Sequence, residues 1–150
     1  MLVNKIFIGA DHAGFALKEQ LKQQLVGAGH PIDDLGVFSE ARADYPDQAK
    51  AVADKVAAIP GSRGLLVCGS GIGMAIAANK INGIRAAVAC TEEEARLSRA
   101  HNDANILCLG ARTTAPDIAT RALTVFLATE FEGGRHADRV AKISALEKKI

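Results

Sequence analysis

The chain has 150 residues, 49% of them hydrophobic and 23% charged, with a formal net charge of +1. That length suits a single domain over residues 1–150 with one substantial core and no need of disulfides or metals, and the composition excludes a disordered or membrane chain. The balanced charge leaves no basic surplus for a nucleic-acid backbone, so any anion recognised must be small and local.

In chain order, short β-branched or apolar runs alternate with longer amphipathic ones, which predicts an α/β fold with helices on both faces of a parallel sheet. A first strand is predicted over residues 3–9. The apolar stretch from Leu2 to Ile8 is broken by Asn4 and Lys5 and runs into Asp11 and His12, which suits a strand and not a signal peptide. Leu17, Leu21 and Leu25 then stripe a helix that Gly27 and Gly29 end. A weaker strand near 31–35 follows, then a helix stopped by Pro60 and Gly61, and strands over 64–68, 85–89 and 106–109. Pro116 opens a fifth helix striped by Ile118, Ala122 and Phe126. From Gly133 onward, Val140, Ile143 and Leu146 stripe a helix with no strand after it, so this face is expected to pack on the sheet or on another subunit. No run approaches membrane-spanning length. The three cysteines, Cys68, Cys90 and Cys108, are widely spaced and lack a zinc pattern, and no cluster of His and carboxylates has ligand spacing, so a reducing cytoplasm and no metal are expected.

In an open parallel sheet, ligands bind beyond the carboxyl ends of the strands. The residues there are Asp11 and His12, Cys68 to Gly73, Thr91 and Glu92, and Gly110 to Arg112. In Cys68-Gly69-Ser70-Gly71-Ile72-Gly73, three glycines between a strand and a helix let backbone N–H groups converge on an anion, although such turns also serve close packing. No Lys-Ser/Thr pair follows, which excludes a Walker A loop, and Met74 occupies both the last glycine of a dinucleotide fingerprint and the arginine of a cysteine-phosphatase loop. What remains is a thiol at the mouth of an anion-binding turn, where the positive end of the next helix favours the thiolate; Cys68 is thus a candidate base or nucleophile. Cys90 and Cys108 have no such loop and are read as buried and inert. On spacing alone His101 is a helix C-terminal cap. Arg135 and Arg139 lie one helical turn apart, an arrangement that suits a phosphate dianion or simply a solvated helix face.

The motifs Gly9-Ala10-Asp11-His12-Ala13-Gly14, Asp44-Tyr45-Pro46, Cys68-Gly69-Ser70-Gly71-Ile72-Gly73, Ala77-Ala78-Asn79-Lys80, Gly83-Ile84-Arg85-Ala86, Ser98-Arg99-Ala100-His101-Asn102-Asp103-Ala104-Asn105 and Glu132-Gly133-Gly134-Arg135-His136 resemble, in order, those of the ribose-5-phosphate isomerase B family. The resemblance runs from about residue 5 to about residue 145. It implies a Rossmann-like three-layer sandwich with a five-stranded parallel sheet of order 2-1-3-4-5. It also implies a homo-oligomer, dimer or dimer of dimers, with shared active sites and neither metal nor organic cofactor.

The same resemblance implies the interconversion of ribose 5-phosphate and ribulose 5-phosphate through an enediolate. Cys68 would move the proton between C1 and C2 with help from Ser70, and the backbone of Gly69, Ser70, Gly71, Ile72 and Gly73 would hold the enediolate. His101 of a neighbouring subunit would open the ring, Asp11 would hold a hydroxyl, Tyr45 would line the pocket and Asn102 would contact the sugar. His12, Arg112, Arg135 and Arg139 would grip the phosphate. One branch of the family lacks the cysteine and carries glutamate at the position of Met74, so this chain resembles the cysteine branch. The related galactose-6-phosphate isomerases divide the catalytic residues between two different chains, whereas Cys68 and His101 occur here in one. These roles match the chemistry an isomerase needs, namely a ring opener, a proton shuttle and donors for an oxyanion. The rival readings are the same reaction on allose 6-phosphate, galactose 6-phosphate or a tetrose phosphate, and a non-catalytic Rossmann-like anion-binding module.

Overall fold

The computed structural model describes residues 3–149, so Leu2 of the first apolar stretch lies outside the described residues. The elements run β1 Ile6–Ala10, α1 Phe15–Gly27, β2 Ile32–Asp34, α2 Tyr45–Ala58, β3 Arg63–Cys68, α3 Ile72–Ala78, β4 Ala86–Val88, α4 Glu92–Ala100, β5 Ile106–Gly110, α5 Pro116–Ala128 and α6 Arg135–Ser144. No described helix is long and apolar enough to cross a membrane.

All strand pairs are parallel, and the sheet order is β2-β1-β3-β5-β4. The last two strands are therefore exchanged relative to the expected 2-1-3-4-5. The side chains account for this. β5 carries Ile106, Leu107, Cys108 and Leu109, all fully buried, and needs a neighbour on each side. β4 offers only Ala86, Ala87 and Val88, all half-buried, which suits a short strand at a sheet edge.

Alternation along the central strands sorts side chains into two cores. Ile6, Ile8, Leu65, Val67, Leu107 and Leu109 pack against Leu17, Leu21 and Leu25 of α1, Ala95 of α4, and Ala119, Ala122, Leu123 and Phe126 of α5. On the other face, Phe7, Leu66, Cys68, Ile106 and Cys108 meet Val52, Ala53 and Val56 of α2 and Met74, Ala75 and Ala78 of α3. Met74 is fully buried, so the position that ends a dinucleotide fingerprint here faces core. Of the predicted α5 stripe, Ala122 and Phe126 are buried, whereas Ile118 is half-buried.

One further expectation needs correction. Cys108 is buried as expected, and burial pushes its thiol well above the usual range, but Cys90 is exposed. β4 ends at Val88, so Cys90 stands in the turn before α4, whose N-cap Thr91 accepts from Glu94 N–H at 3.0 Å. Of the two placements expected for the α6 stripe, the sheet or another subunit, the single chain does not supply the first: Ile143 and Leu146 are exposed and line, with Ile84, Ala86 and Ala87, an open cavity of about 610 Å³ beside the β4 edge.

Candidate active site

At the carboxyl end of the sheet, β3 delivers Cys68 with its side chain on the α3 face, nearly buried at 5% exposure. The chain then turns through Gly71, whose φ of +78° lies in the left-handed region that a side chain disfavours. The turn points Gly71 N–H at Cys68 Sγ, 3.1 Å away, and a donor aimed at sulfur stabilises negative charge on it. Ser70 Oγ accepts Ile72 N–H at 3.2 Å, which holds the hydroxyl at the start of α3.

Neighbouring strand ends close around this turn. Ala111 N–H donates to Cys68 O at 2.8 Å and Arg112 N–H to Gly69 O at 2.9 Å, laying the Arg112 side chain along Gly69. From β1, Asp11 N–H reaches Val67 O at 3.3 Å, and the buried Asp11 carboxylate accepts Gly14 N–H at 3.0 Å. His12 places Nδ1 3.2 Å from Ala43 N and 3.3 Å from Ala43 O, so the backbone holds the ring in either tautomer. Ala43 leads into α2, whose first residue, Tyr45, lays its ring against Gly73. The structure thus gathers Asp11, His12, Tyr45, Cys68 through Gly73 and Arg112 into one site.

It does not bring the remaining candidates to that site within one chain. Helix α4 starts beyond the carboxyl end of β4 and returns the chain to the amino end of β5, so His101, its C-cap, sits at the opposite edge of the sheet from Cys68. A five-residue strand separates the two edges by about 15 Å. Asn102 follows on the same edge, exposed and lining the α6 cavity. α5 makes the same return, so α6 begins there too, carrying Arg135 and Arg139, both exposed.

At this second edge the His101 and His136 rings stack with centroids 4.1 Å apart and planes at 12°. Glu132 Oε1 lies 3.6 Å from His101 Nε2, and Glu132 N–H donates to Ala100 O at 3.0 Å. Ligand atoms of His101, Glu132 and His136 fall within 4.8 Å of one another, a grouping that sequence spacing does not suggest. Near-parallel rings run their in-plane lone pairs side by side instead of converging them on one point, which suits proton transfer better than an ion. Burial first, then the neighbouring His101, Arg135 and Arg139, push His136 below the usual histidine range, while Glu132 opposes them. Neither Glu132 nor His136 is given a role by sequence reasoning, though both belong to the Glu132-Gly133-Gly134-Arg135-His136 motif.

Residues 6–143 match the family described as ribose/galactose isomerase. The chain is 43% identical over 147 residues to ribose-5-phosphate isomerase B of Escherichia coli, covering 98% of this chain and 99% of that one. Among solved structures it is similar to ribose-5-phosphate isomerase B of Clostridium thermocellum, with TM-score 0.93, 46% identity and coverage of 95% and 96% of the two chains. It is also similar to that of Mycoplasma genitalium with bound ribulose-5-phosphate, with TM-score 0.94, 39% identity and 100% of both chains covered.

Proposed function

The chain belongs to the ribose/galactose isomerase family and interconverts ribose 5-phosphate and ribulose 5-phosphate, and we propose that Cys68 is the base that carries the proton between the two carbons. The observation that carries this reading is the Gly71 N–H held 3.1 Å from Cys68 Sγ in the glycine-rich turn between β3 and α3. With the ring open, the thiolate removes the proton from C2. The C2–H electrons form the C1=C2 bond of the enediolate, and the carbonyl electrons move onto O1. Backbone N–H groups of residues 69–73 stabilise that oxyanion as it develops. Cys68 returns the proton to C1, and the Ser70 hydroxyl relays the remaining proton from O2 to O1. These are proton transfers within one molecule, so the chain's own acids and bases suffice.

We assign Asp11 and Asn102 to sugar hydroxyls and Tyr45 to the pocket wall. His12 and Arg112 hold the phosphate from one chain, and Arg135 and Arg139 from another. The ring-opening acid/base is His101 of a second copy, because its own copy holds it at the far edge of the sheet from Cys68. This makes the working unit a homo-oligomer, a dimer or a dimer of dimers, and the open face of Ile143 and Leu146 is apolar surface suited to such a contact. One domain, residues 1–150, serves the reaction. Three unpaired cysteines suit a reducing cytoplasm.

The test is an assay of wild type and Cys68→Ala on four- to six-carbon aldose and ketose phosphates. Ribose 5-phosphate should be the best aldose for the wild type, and the variant should bind it while turning it over at least about a thousandfold more slowly. A variant active near the wild-type rate would remove Cys68 as base, and a strong preference for a hexose or tetrose phosphate would reassign the substrate.

A further inference from the structure

We propose that His136 and Glu132 are positioning residues for ring opening, His136 as the flat platform on which His101 is stacked and Glu132 as the carboxylate that holds the Nε2 edge of the same ring. The inference rests on the reading of His101 as the ring-opening residue, and assigns it a support that sequence analysis does not supply.

His101 is the C-cap of α4, where a side chain has few neighbours to define its rotamer, and it is 37% exposed. A catalytic imidazole there needs its plane and its edge defined by something other than core packing. His136 defines the plane. It is buried, lies in the first turn of α6 with its N–H on Gly133 O at 3.0 Å, and stacks on His101 at 4.1 Å and 12°. Glu132 defines the edge, with Oε1 at 3.6 Å from Nε2 and its own backbone tied to Ala100 O, one residue before His101. The segment that carries both supports is therefore fastened to the helix that carries the ring.

The charge pattern agrees with the geometry. Burial and the nearby positive groups lower the His136 pKa, which suits a stacking platform, while the more exposed His101 edge faces the Glu132 carboxylate. In the step itself the C1 hydroxyl loses its proton as the C1–O4 bond breaks. C1=O forms, the C1–O4 electron pair stays on O4, and O4 receives a proton. A ring held in one plane takes and gives this proton without first searching for its orientation.

Ring opening can be separated from carbon proton transfer. Ribulose 5-phosphate has its terminal hydroxyl esterified and no five-membered ring to open, so uptake of solvent deuterium at C1 needs Cys68 but not His101. His136→Ala and Glu132→Gln should lower kcat on ribose 5-phosphate about tenfold with little change in KM, and leave deuterium uptake into ribulose 5-phosphate within about twofold. His136→Phe should restore most of the lost rate, because it stacks without titrating. The inference is overturned if these variants turn over ribose 5-phosphate at the wild-type rate, or if they depress both readouts equally, as general loss of structure would. His101→Ala separates the two levels. If it fails to spare deuterium uptake while stopping ribose 5-phosphate turnover, the ring-opening assignment itself fails. If His101→Ala is selective and His136→Ala is not, the positioning role alone is lost.

Discussion

Tyr45 and Gly73 touch face to ring: a Cβ at position 73 would lie 2.4 Å from Tyr45 Cε1 and 2.6 Å from Cζ. The glycine is therefore required by the tyrosine, because nothing larger than hydrogen fits between α3 and the start of α2. Gly73→Ala should push the ring out of the pocket and raise KM for ribose 5-phosphate several-fold. Tyr45→Ala should raise it too, and the double variant should be no worse than Tyr45→Ala alone, since removing the ring removes the clash. Additive losses in a double-mutant cycle would show that the two positions act separately.

The fully buried Lys18 holds the β2 side of the site. Its ammonium pairs with Asp34 at 2.9 Å and also donates to Val37 O, while Lys22 reaches Asp34 at 3.0 Å. Burial alone would raise the Asp34 pKa, but hydrogen bonds from Lys18, Gly36 N–H and Lys22 outweigh it and hold the carboxyl below its usual range. A depressed folded pKa means stabilisation that is complete above the ordinary carboxylate range and is lost as pH falls through the folded value. Asp34→Asn, which leaves the buried ammonium only Glu19 at 3.2 Å and Val37 O, should cost about 2 kcal/mol at neutral pH. Urea melts across pH should show that cost shrinking as pH falls below the ordinary carboxylate range, and a gap that stayed constant with pH would contradict the assignment.

The three cysteines should separate by reactivity. Cys90 is exposed, Cys68 nearly buried but at the site, and Cys108 inside β5 with its thiol pushed up by burial. Iodoacetamide should label Cys90 without loss of activity, and in a Cys90→Ser background labelling of Cys68 should track inactivation and be slowed by ribulose 5-phosphate. Labelling of Cys108 in the folded protein, or inactivation that follows Cys90, would count against this ordering.

Arg139 stands one turn after Arg135 on the exposed face of α6. If both grip the phosphate, Arg139→Ala should weaken binding of phosphorylated sugars by about 2 kcal/mol, as for a charge-assisted hydrogen bond. It should leave free ribose unaffected, and kcat should fall as well, because remote binding energy positions the reacting carbons. Calorimetry and steady-state kinetics with ribose and ribose 5-phosphate distinguish this from a solvated helix face, on which the substitution would change neither.

Much of this architecture is legible in the residues themselves. Ile6-Phe7-Ile8 and Leu65-Leu66-Val67 read as central strands because both faces need apolar partners, and Pro116 and Gly133 mark helix starts that the structure keeps within two residues. The exchange of β4 and β5 is written in Ala86-Ala87 against Ile106-Leu107, but a small residue says only that little area is buried, not beside which strand. The separation of Cys68 from His101 follows from topology, since a helix after a parallel strand must carry the chain back to the opposite edge. The His101–His136 stack is different. It depends on how α6 leaves α5, a tertiary contact with no periodic trace in the chain.

That separation supplies the most direct measurement of the central claim, that Cys68 of one copy works with His101 of another. Cys68→Ala and His101→Ala each disable every site of a homo-oligomer. In a mixed dimer, one site combines both substitutions and the other combines neither. Unfolding and refolding the two inactive variants together at equal amounts should therefore recover about a quarter of the wild-type rate on ribose 5-phosphate, because half the dimers are mixed and each has one intact site. A mixture as inactive as its components, with mixed dimers demonstrated by mass spectrometry, would contradict a shared site and with it the assignment of His101 to the reaction at Cys68.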